Sequence, residues 1–246
     1  MSEPTVAGRL YGVGLGPGDP ELLTVKAVRV IADAPVVAYF AKAGRRGNAR
    51  KIVDRWLPPA CIELPLYYPV TTEIAFDDPC YRAQLAAFYA ASAGAIAGHL
   101  SSGRDVALLS EGDPLFYGSF MHLFERLRDE FAVTIVPGVT GMSGAWAAAQ
   151  VPVAWGDDAL AILPATLPQD KLAARLAACD GAVIMKIGRS LAKARSALAR
   201  AGLLERAIYI ERATMDDELI LPLSHKPDDS APYFALIVVP GQGRRP

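Results

Sequence analysis

The residues of this chain whose types and spacing could do chemistry sit at three turns, and most of what they offer is backbone. Val106-Ala107-Leu108-Leu109 is an apolar run that meets Ser110-Glu111-Gly112-Asp113-Pro114. Leu10–Leu15 likewise runs into Gly16-Pro17-Gly18-Asp19-Pro20, and Ala132–Val136 into Pro137-Gly138-Val139-Thr140-Gly141. Each time a short buried-strand pattern ends in glycine and a helical pattern opens. Glycine permits a tight turn, Asp19, Asp113 and Thr140 suit a helix cap, and Pro20 and Pro114 suit a first helical position. Such strand-to-helix turns are where open α/β sheets bind ligands. Reactive side chains are scarce. His99, His122 and His225 are scattered without metal-ligand spacing, Cys61, Cys80 and Cys179 form no CxxC pair, and no Walker lysine follows a glycine turn. Convergent backbone groups with few nucleophiles suit a reaction in which a cofactor brings the reactivity and the protein supplies alignment. Methyl transfer from S-adenosylmethionine is one such reaction.

The elements that must position these turns follow from the apolar periodicity. Strands are expected at Leu10–Leu15, Ala34–Phe40, Ala60–Leu64, Asp105–Ser110 and Ala132–Val136. A long helix is expected at Asp78–Leu100, and another opens at Pro114, with Phe116, Phe120, Leu123, Phe124 and Leu127 on one face. Val151–Asp158, with Pro152 and Gly156, reads as a linker. Beyond it come a strand at Ala159–Leu163, a helix at Gln169–Ala178, a strand at Ala182–Ile187 and a helix at Ser190–Ala201. Strand-like runs then follow one another at Ala207–Arg212, Glu218–Leu223 and Tyr233–Val239, which implies antiparallel pairing. The reading is two α/β domains, residues 1–152 with the three glycine turns and residues 153–246 with a mixed sheet.

Composition narrows the function classes. The chain has 246 residues, 52% hydrophobic and 21% charged, with a net charge of −1, so it is an ordinary globular protein with ample core. That balance argues against nucleic-acid binding, which wants a strongly basic face. No apolar stretch of about 18 residues suggests a membrane span, and Met1–Leu10 does not read as a secretory leader, so a cytoplasmic protein with reduced thiols is expected. Gly14 and Gly16 begin a dinucleotide fingerprint, but Asp19 stands where its third glycine belongs, and the Ala34–Phe40 strand ends without a ribose-binding acid. Lys42–Arg55 carries six basic residues, Arg45, Arg46 and Arg50 among them, against Asp54 alone. It is either a solvated face or a landing site for a polyanion. Tyr67-Tyr68-Pro69-Val70-Thr71-Thr72 reads as an ordered loop presenting rings and hydroxyls.

Taken together, Val13-Gly14-x-Gly16-Pro17-Gly18-Asp19…Leu23-Thr24-x-Lys26-Ala27, Glu111-Gly112-Asp113-Pro114…Tyr117-Gly118 and Val136-Pro137-Gly138-Val139-Thr140 resemble, in order, the three opening motifs of the tetrapyrrole (corrin/porphyrin) methyltransferases. The similarity runs from about Leu10 to Val239. Within the family, Ser110–Phe120, Tyr68-Pro69-x-Thr71-Thr72 and Met185–Arg189 most resemble the branch that methylates C20 of precorrin-2 in cobalamin synthesis. The resemblance implies S-adenosylmethionine in a cleft between two α/β domains, a homodimer, and precorrin-2 or cobalt-factor II as substrate. Cofactor contacts carried over by position are Pro17, Gly112, Asp113, Phe116, Thr140, Gly141, Met185, Ala213 and the strand ending at Pro240, including Ala235 and Leu236. Tyr68, Thr71, Thr72 and the arginines would face the substrate, whose acetate and propionate arms suit bidentate guanidinium pairing. Sirohaem-forming relatives place an acidic proton acceptor near the end of the second strand, where this chain has Tyr39 and Phe40. Candidates for that role here are Tyr39, Glu111 and Tyr117, and a dedicated base is not required if the delocalised cation sheds its proton unaided. The alternatives are a family member acting on another corrin carbon or on a protein or RNA acceptor, and a non-catalytic nucleotide-binding protein.

Overall fold

The computed structural model describes residues 6–69 and 79–243. Their contacts divide into two units at Thr140–Gly141. The first unit is built on an all-parallel sheet in the order β3-β2-β4-β1-β5, with β1 at Leu10–Gly14, β2 at Val36–Lys42, β3 at Ile62–Tyr68, β4 at Val106–Ser110 and β5 at Val133–Val136. Parallel strands are covered on both faces, which explains why β1, β2 and β4 read as nearly continuous apolar runs. Helices α1 (Val25–Asp33) and α2 (Asn48–Ile52) cover one face, where Ala27, Ile31 and Ile52 pack against Val13, Val37 and Leu109. Helices α3 (Pro79–Ser101) and α4 (Phe120–Leu127) cover the other, where Ile96, Leu100, Phe120 and Leu123 meet Leu10, Ala38 and Leu108. Gly12 is what lets α4 sit so close, because a Cβ there would overlap the Phe120 ring.

Local chemistry shifts three expected boundaries. Asp19 caps only a single 3-10 turn at Pro20–Leu22, accepting from Glu21 N–H at 2.7 Å. Thr24 caps α1 itself, accepting from Ala27 N–H at 3.1 Å. The helix expected from Pro114 instead begins at Phe120, so Phe116 lies in the preceding turn. Asp113 closes that turn rather than capping a helix, since its Oδ1 accepts from Leu115 N–H at 2.9 Å. Strand β3 runs on to Tyr68, so both tyrosines read as loop residues are at its carboxyl end. Thr71 and Thr72 lie outside the described residues.

The second unit holds a mixed sheet in the order β6-β7-β10-β8-β9: β6 at Leu160–Pro164, β7 at Gly181–Met185, β8 at Ile208–Glu211, β9 at Leu219–Pro222 and β10 at Ala235–Val239. Only β6 and β7 pair in parallel; β10 is antiparallel to both β7 and β8, and β8 to β9. One face is packed by α6 (Gln169–Ala177) and α7 (Leu191–Arg200), through Leu172, Leu176, Ala194 and Leu198. The other face receives α5 (Gly141–Ala148), whose Ala145 is buried with Val183, Ile210, Leu236 and Val238. That apolar contact is why α5 belongs to the second unit, although the sequence boundary was expected at residue 152.

Candidate functional site

The three glycine turns meet at the carboxyl edge of β4, β1 and β5. Gly112 and Gly16 exchange backbone hydrogen bonds, Gly112 N–H to Gly16 O at 2.8 Å and Gly16 N–H to Gly112 O at 3.3 Å. Both glycines have positive φ, 67° and 80°, in the left-handed region that favours glycine. A Cβ on Gly14 would lie 2.5 Å from Gly138 N, and one on Gly138 would overlap the Gly112 carbonyl. Asp113 fastens the third turn to the second, because its Oδ2 accepts from Gly138 N–H at 3.1 Å. Pro17, Gly112, Asp113, Phe116 and Thr140 are therefore all on one set of turns, each half-buried. Beneath them Ser110 Oγ is buried and has no hydrogen-bond partner among the described residues. A buried hydroxyl left unpaired calls for a specific partner, such as an ordered water or a ligand atom.

Within the second unit, the candidates divide. Met185 ends β7, Ala213 follows β8 and Leu236 is the second residue of β10, and all three pack in the cluster that α5 covers. Lys186, Arg212 and Thr214 around them have φ of 56°, 46° and 68°, a strained backbone of the kind that collects at ligand sites. Ala235 instead packs on the opposite face, with the α6 and α7 cluster. Pro240 is a correction: it follows β10 at the far edge of the sheet, where Arg206 donates to its carbonyl. Three strand residues separate it from Leu236, roughly 14 Å at strand rise. A Cβ on Gly141 meets nothing within 4 Å, so space is open there.

The basic segment is not one patch. Arg45 and Arg46 are exposed, Arg46 reaching Asp54 at 3.4 Å. Arg50 is 5% exposed and wholly engaged, with Nε 2.7 Å and Nη2 2.9 Å from the two Glu63 oxygens and Nη1 2.7 Å from Asp54. It corrects the expectation of a substrate-facing arginine, since a guanidinium saturated by two carboxylates has no free fork to offer. Tyr39 belongs to the same network. Its hydroxyl donates to Glu63 Oε2 at 2.9 Å, and burial followed by that bond raises its pKa to about 12, which disqualifies it as a base near neutral pH. Tyr117 has φ of 55°, a 43% exposed ring and an edge contact to Phe116 at 4.8 Å.

Glu111 is different. Its Oε1 accepts from Ala49 N–H in α2 at 3.2 Å, and no cation pairs with it among the described residues. Burial raises its pKa, opposed by its own N–H and that of Ala49.

An aromatic wall, which sequence reasoning missed beyond Tyr68, closes the α3 and α4 side. Tyr68 stacks on Phe40 at 5.5 Å and meets Phe88 at 4.7 Å, and its hydroxyl donates to Ser119. Tyr89 adds a contact to Ser119 Oγ at 3.1 Å and stacks on His122 at 4.3 Å. The signal was available in the Phe88-Tyr89 pair on the inward face of a long helix, next to a strand ending in Tyr68. An open apolar groove along α1, lined by Pro20, Leu23, Val25, Val28 and Trp56, includes none of these candidates. Among the described residues no group of three or more His, Cys, Asp or Glu could hold a metal ion, and no helix is long and apolar enough to cross a membrane.

Comparison with known proteins accounts for this arrangement. The chain is 57% identical over 239 residues to a precorrin-2 C(20)-methyltransferase of Sinorhizobium sp., covering 97% of this chain and 98% of that one. It is 30% identical to a cobalt-precorrin-2 C(20)-methyltransferase of Salmonella typhimurium, covering 94% and 96%. It is 50% identical to part of a Mycobacterium tuberculosis protein named cobalamin biosynthesis protein CobIJ, covering 97% of this chain and 47% of that longer one. Among solved structures, a cobalt precorrin-4 methyltransferase superposes with a TM-score of 0.71 at 23% identity, covering 94% of each chain. A uroporphyrin-III C-methyltransferase from Thermus thermophilus, solved with S-adenosyl homocysteine, gives 0.67 at 24% identity, covering 95% and 92%. The model for Tetrapyrrole (Corrin/Porphyrin) Methylases matches residues 9–226, and the chain belongs to that family.

Proposed function

We propose that this protein is an S-adenosylmethionine-dependent C-methyltransferase that methylates C20 of precorrin-2 in cobalamin biosynthesis. The observation that carries the reading is 57% identity, over nearly the full length of both chains, to a relative named for that reaction. Metal-free precorrin-2 is favoured over the cobalt-loaded form, because the relative named for the cobalt substrate is only 30% identical. The interlocked glycine turns and the unpaired Ser110 hydroxyl supply what a polar, nucleoside-bearing cofactor needs from a parallel sheet edge. When bound, S-adenosylmethionine supplies an electrophilic methyl group.

The chain's own residues bind and orient. Pro17, Gly112, Asp113, Phe116 and Thr140 present backbone groups and a ring from the first unit. Asp113 holds the second and third turns in fixed register through Leu115 N–H and Gly138 N–H. Phe40, Tyr68 and Phe88 offer flat apolar area suited to a conjugated macrocycle, and Arg45 and Arg46 offer charge to its carboxylate arms. A homodimer in the cytoplasm completes the reading.

The deciding experiment supplies purified protein with methyl-labelled S-adenosylmethionine and either precorrin-2 or cobalt-factor II, then locates the label by NMR. Label at C20 of precorrin-2 is the expected result. Label at another ring carbon would move the protein elsewhere in the family. No transfer, with no binding of S-adenosylhomocysteine by calorimetry, would end the proposal.

A further inference from the structure

We propose that Glu111 is the base that removes the proton from the newly methylated carbon, an inference that rests on the methyltransferase reading above. A ring carbon that gains a methyl group while keeping its hydrogen leaves the conjugated system positively charged. Breaking that C–H bond returns its electron pair to the π system, and the proton passes to Glu111 Oε2 and from there to water.

Four observations converge on this residue. Glu111 directly precedes the Gly112–Asp113 turn, at the carboxyl end of the strand between β1 and β2. Of the other two candidates, Tyr39 has its hydroxyl proton committed to Glu63, and Tyr117 is exposed with its ring edge on Phe116. The Glu111 carboxyl is oriented by the Ala49 N–H on Oε1, which leaves Oε2 without a side-chain partner among the described residues. The residue is half-buried, packed enough to disfavour the ionised form yet still reachable.

The choice of residue type then matters. The same carboxyl also answers an N–H in the first turn of α2, where an anion is favoured over a neutral amide, so the test has to separate that structural role from the chemical one. The charged side chains on the elements packed against it do not relieve the cost of ionising it there. Arg50 is saturated by Glu63 and Asp54, and Lys42 on β2 and Lys51 on α2 are exposed. Asp113 is turned to backbone N–H groups. Burial raises the carboxyl pKa, which makes its ionised form a stronger base.

The test compares wild type with Glu111→Gln. The expected variant folds, binds S-adenosylhomocysteine as wild type does, and loses about 10²-fold or more in kcat, the usual contribution of a general base. Wild-type kcat should fall on the acid side as Glu111 protonates, and the variant should lack that limb. Substrate deuterated at the reacting carbon should show a larger isotope effect in the variant. A second readout needs no turnover. Because folding raises this carboxyl's pKa, wild-type stability falls as pH rises from the ordinary glutamate value through the raised one. The ligand-free Gln variant should escape that fall and gain Tm on wild type as pH increases. A variant within threefold of wild-type kcat, a wild-type profile with no acid limb that the variant lacks, or identical Tm slopes would each overturn the assignment. The two ideas fail differently: no labelled product from wild type defeats the methyltransferase reading, whereas abundant product from the Gln variant defeats only the base.

Discussion

Glu63 and Glu111 both reach α2, one from β3 and the other from the end of β4. Glu63 meets a guanidinium fork and a phenol, and the Arg50 bonds hold its carboxyl below the usual range. Glu111 meets a backbone N–H, and burial pushes its carboxyl above that range. Their contributions to stability have opposite signs in acid. Stability from Glu63 is present above its unfolded pKa and is lost as pH falls through its depressed folded value, while protonation relieves Glu111. A carboxylate whose charge is fully answered has no spare affinity for a proton. One met only by a backbone N–H keeps some, as the proposed base requires.

Breaking the answered side should give the largest effect of the four variants that follow. Arg50→Ala leaves Glu63 without its cation and detaches α2, so the first unit should lose about 2–4 kcal/mol in urea unfolding. That is below the full penalty for breaking a buried pair, because Glu63 is 39% exposed. S-adenosylhomocysteine affinity in the folded fraction should be unchanged, and a shift there would mean that α2 also shapes the cofactor turns.

Asp113 is answered by two backbone N–H groups rather than a cation. Asp113→Ala should weaken S-adenosylhomocysteine binding by about 1–3 kcal/mol in calorimetry, the range for a hydrogen bond to a charged group. Cofactor affinity unaltered in a folded variant would remove Asp113 from the site. A parallel pair of glycines sharpens the distinction between filled and open positions. Gly138 is hemmed in by Gly14 and Gly112, whereas Gly141 faces empty space. Gly141→Val should therefore fold with near-native Tm and still lose about 1–3 kcal/mol of cofactor affinity, as expected for overfilling a site. Normal binding would show that this turn faces elsewhere.

The smallest effect belongs to the exposed cations. Arg45→Ala with Arg46→Ala should raise the tetrapyrrole KM and leave cofactor affinity intact, at about 0.2–1 kcal/mol for each pair lost. Added salt should mimic the double variant in wild type, because exposed charges are screened over about 8 Å at physiological ionic strength. An unchanged KM and salt response would make these arginines ordinary surface.

Much of this was legible in the residues because it is local. The three glycine turns, the parallel first sheet and the mixed second one all follow from apolar runs and turn chemistry. What escaped depended on contacts distant in sequence. Arg50 read as one more positive charge until Glu63, on another strand, saturated it. The helix expected at Pro114 was delayed to Phe120 because the backbone turns left-handed at Tyr117, where φ is 55°, and a helical run begun at Pro114 cannot pass through it. Helix α5 reads as part of the first domain by position, yet Ala145 is buried against the second sheet. Pro240 shares a strand with Ala235 in sequence and stands at the opposite end of it in space.

The mutual contact of Gly14, Gly112 and Gly138 also bears on how such an enzyme can be altered. Gly14 and Gly138 leave each other no room for a Cβ, so neither can take a side chain alone. Redesign must transplant the three as a single cassette.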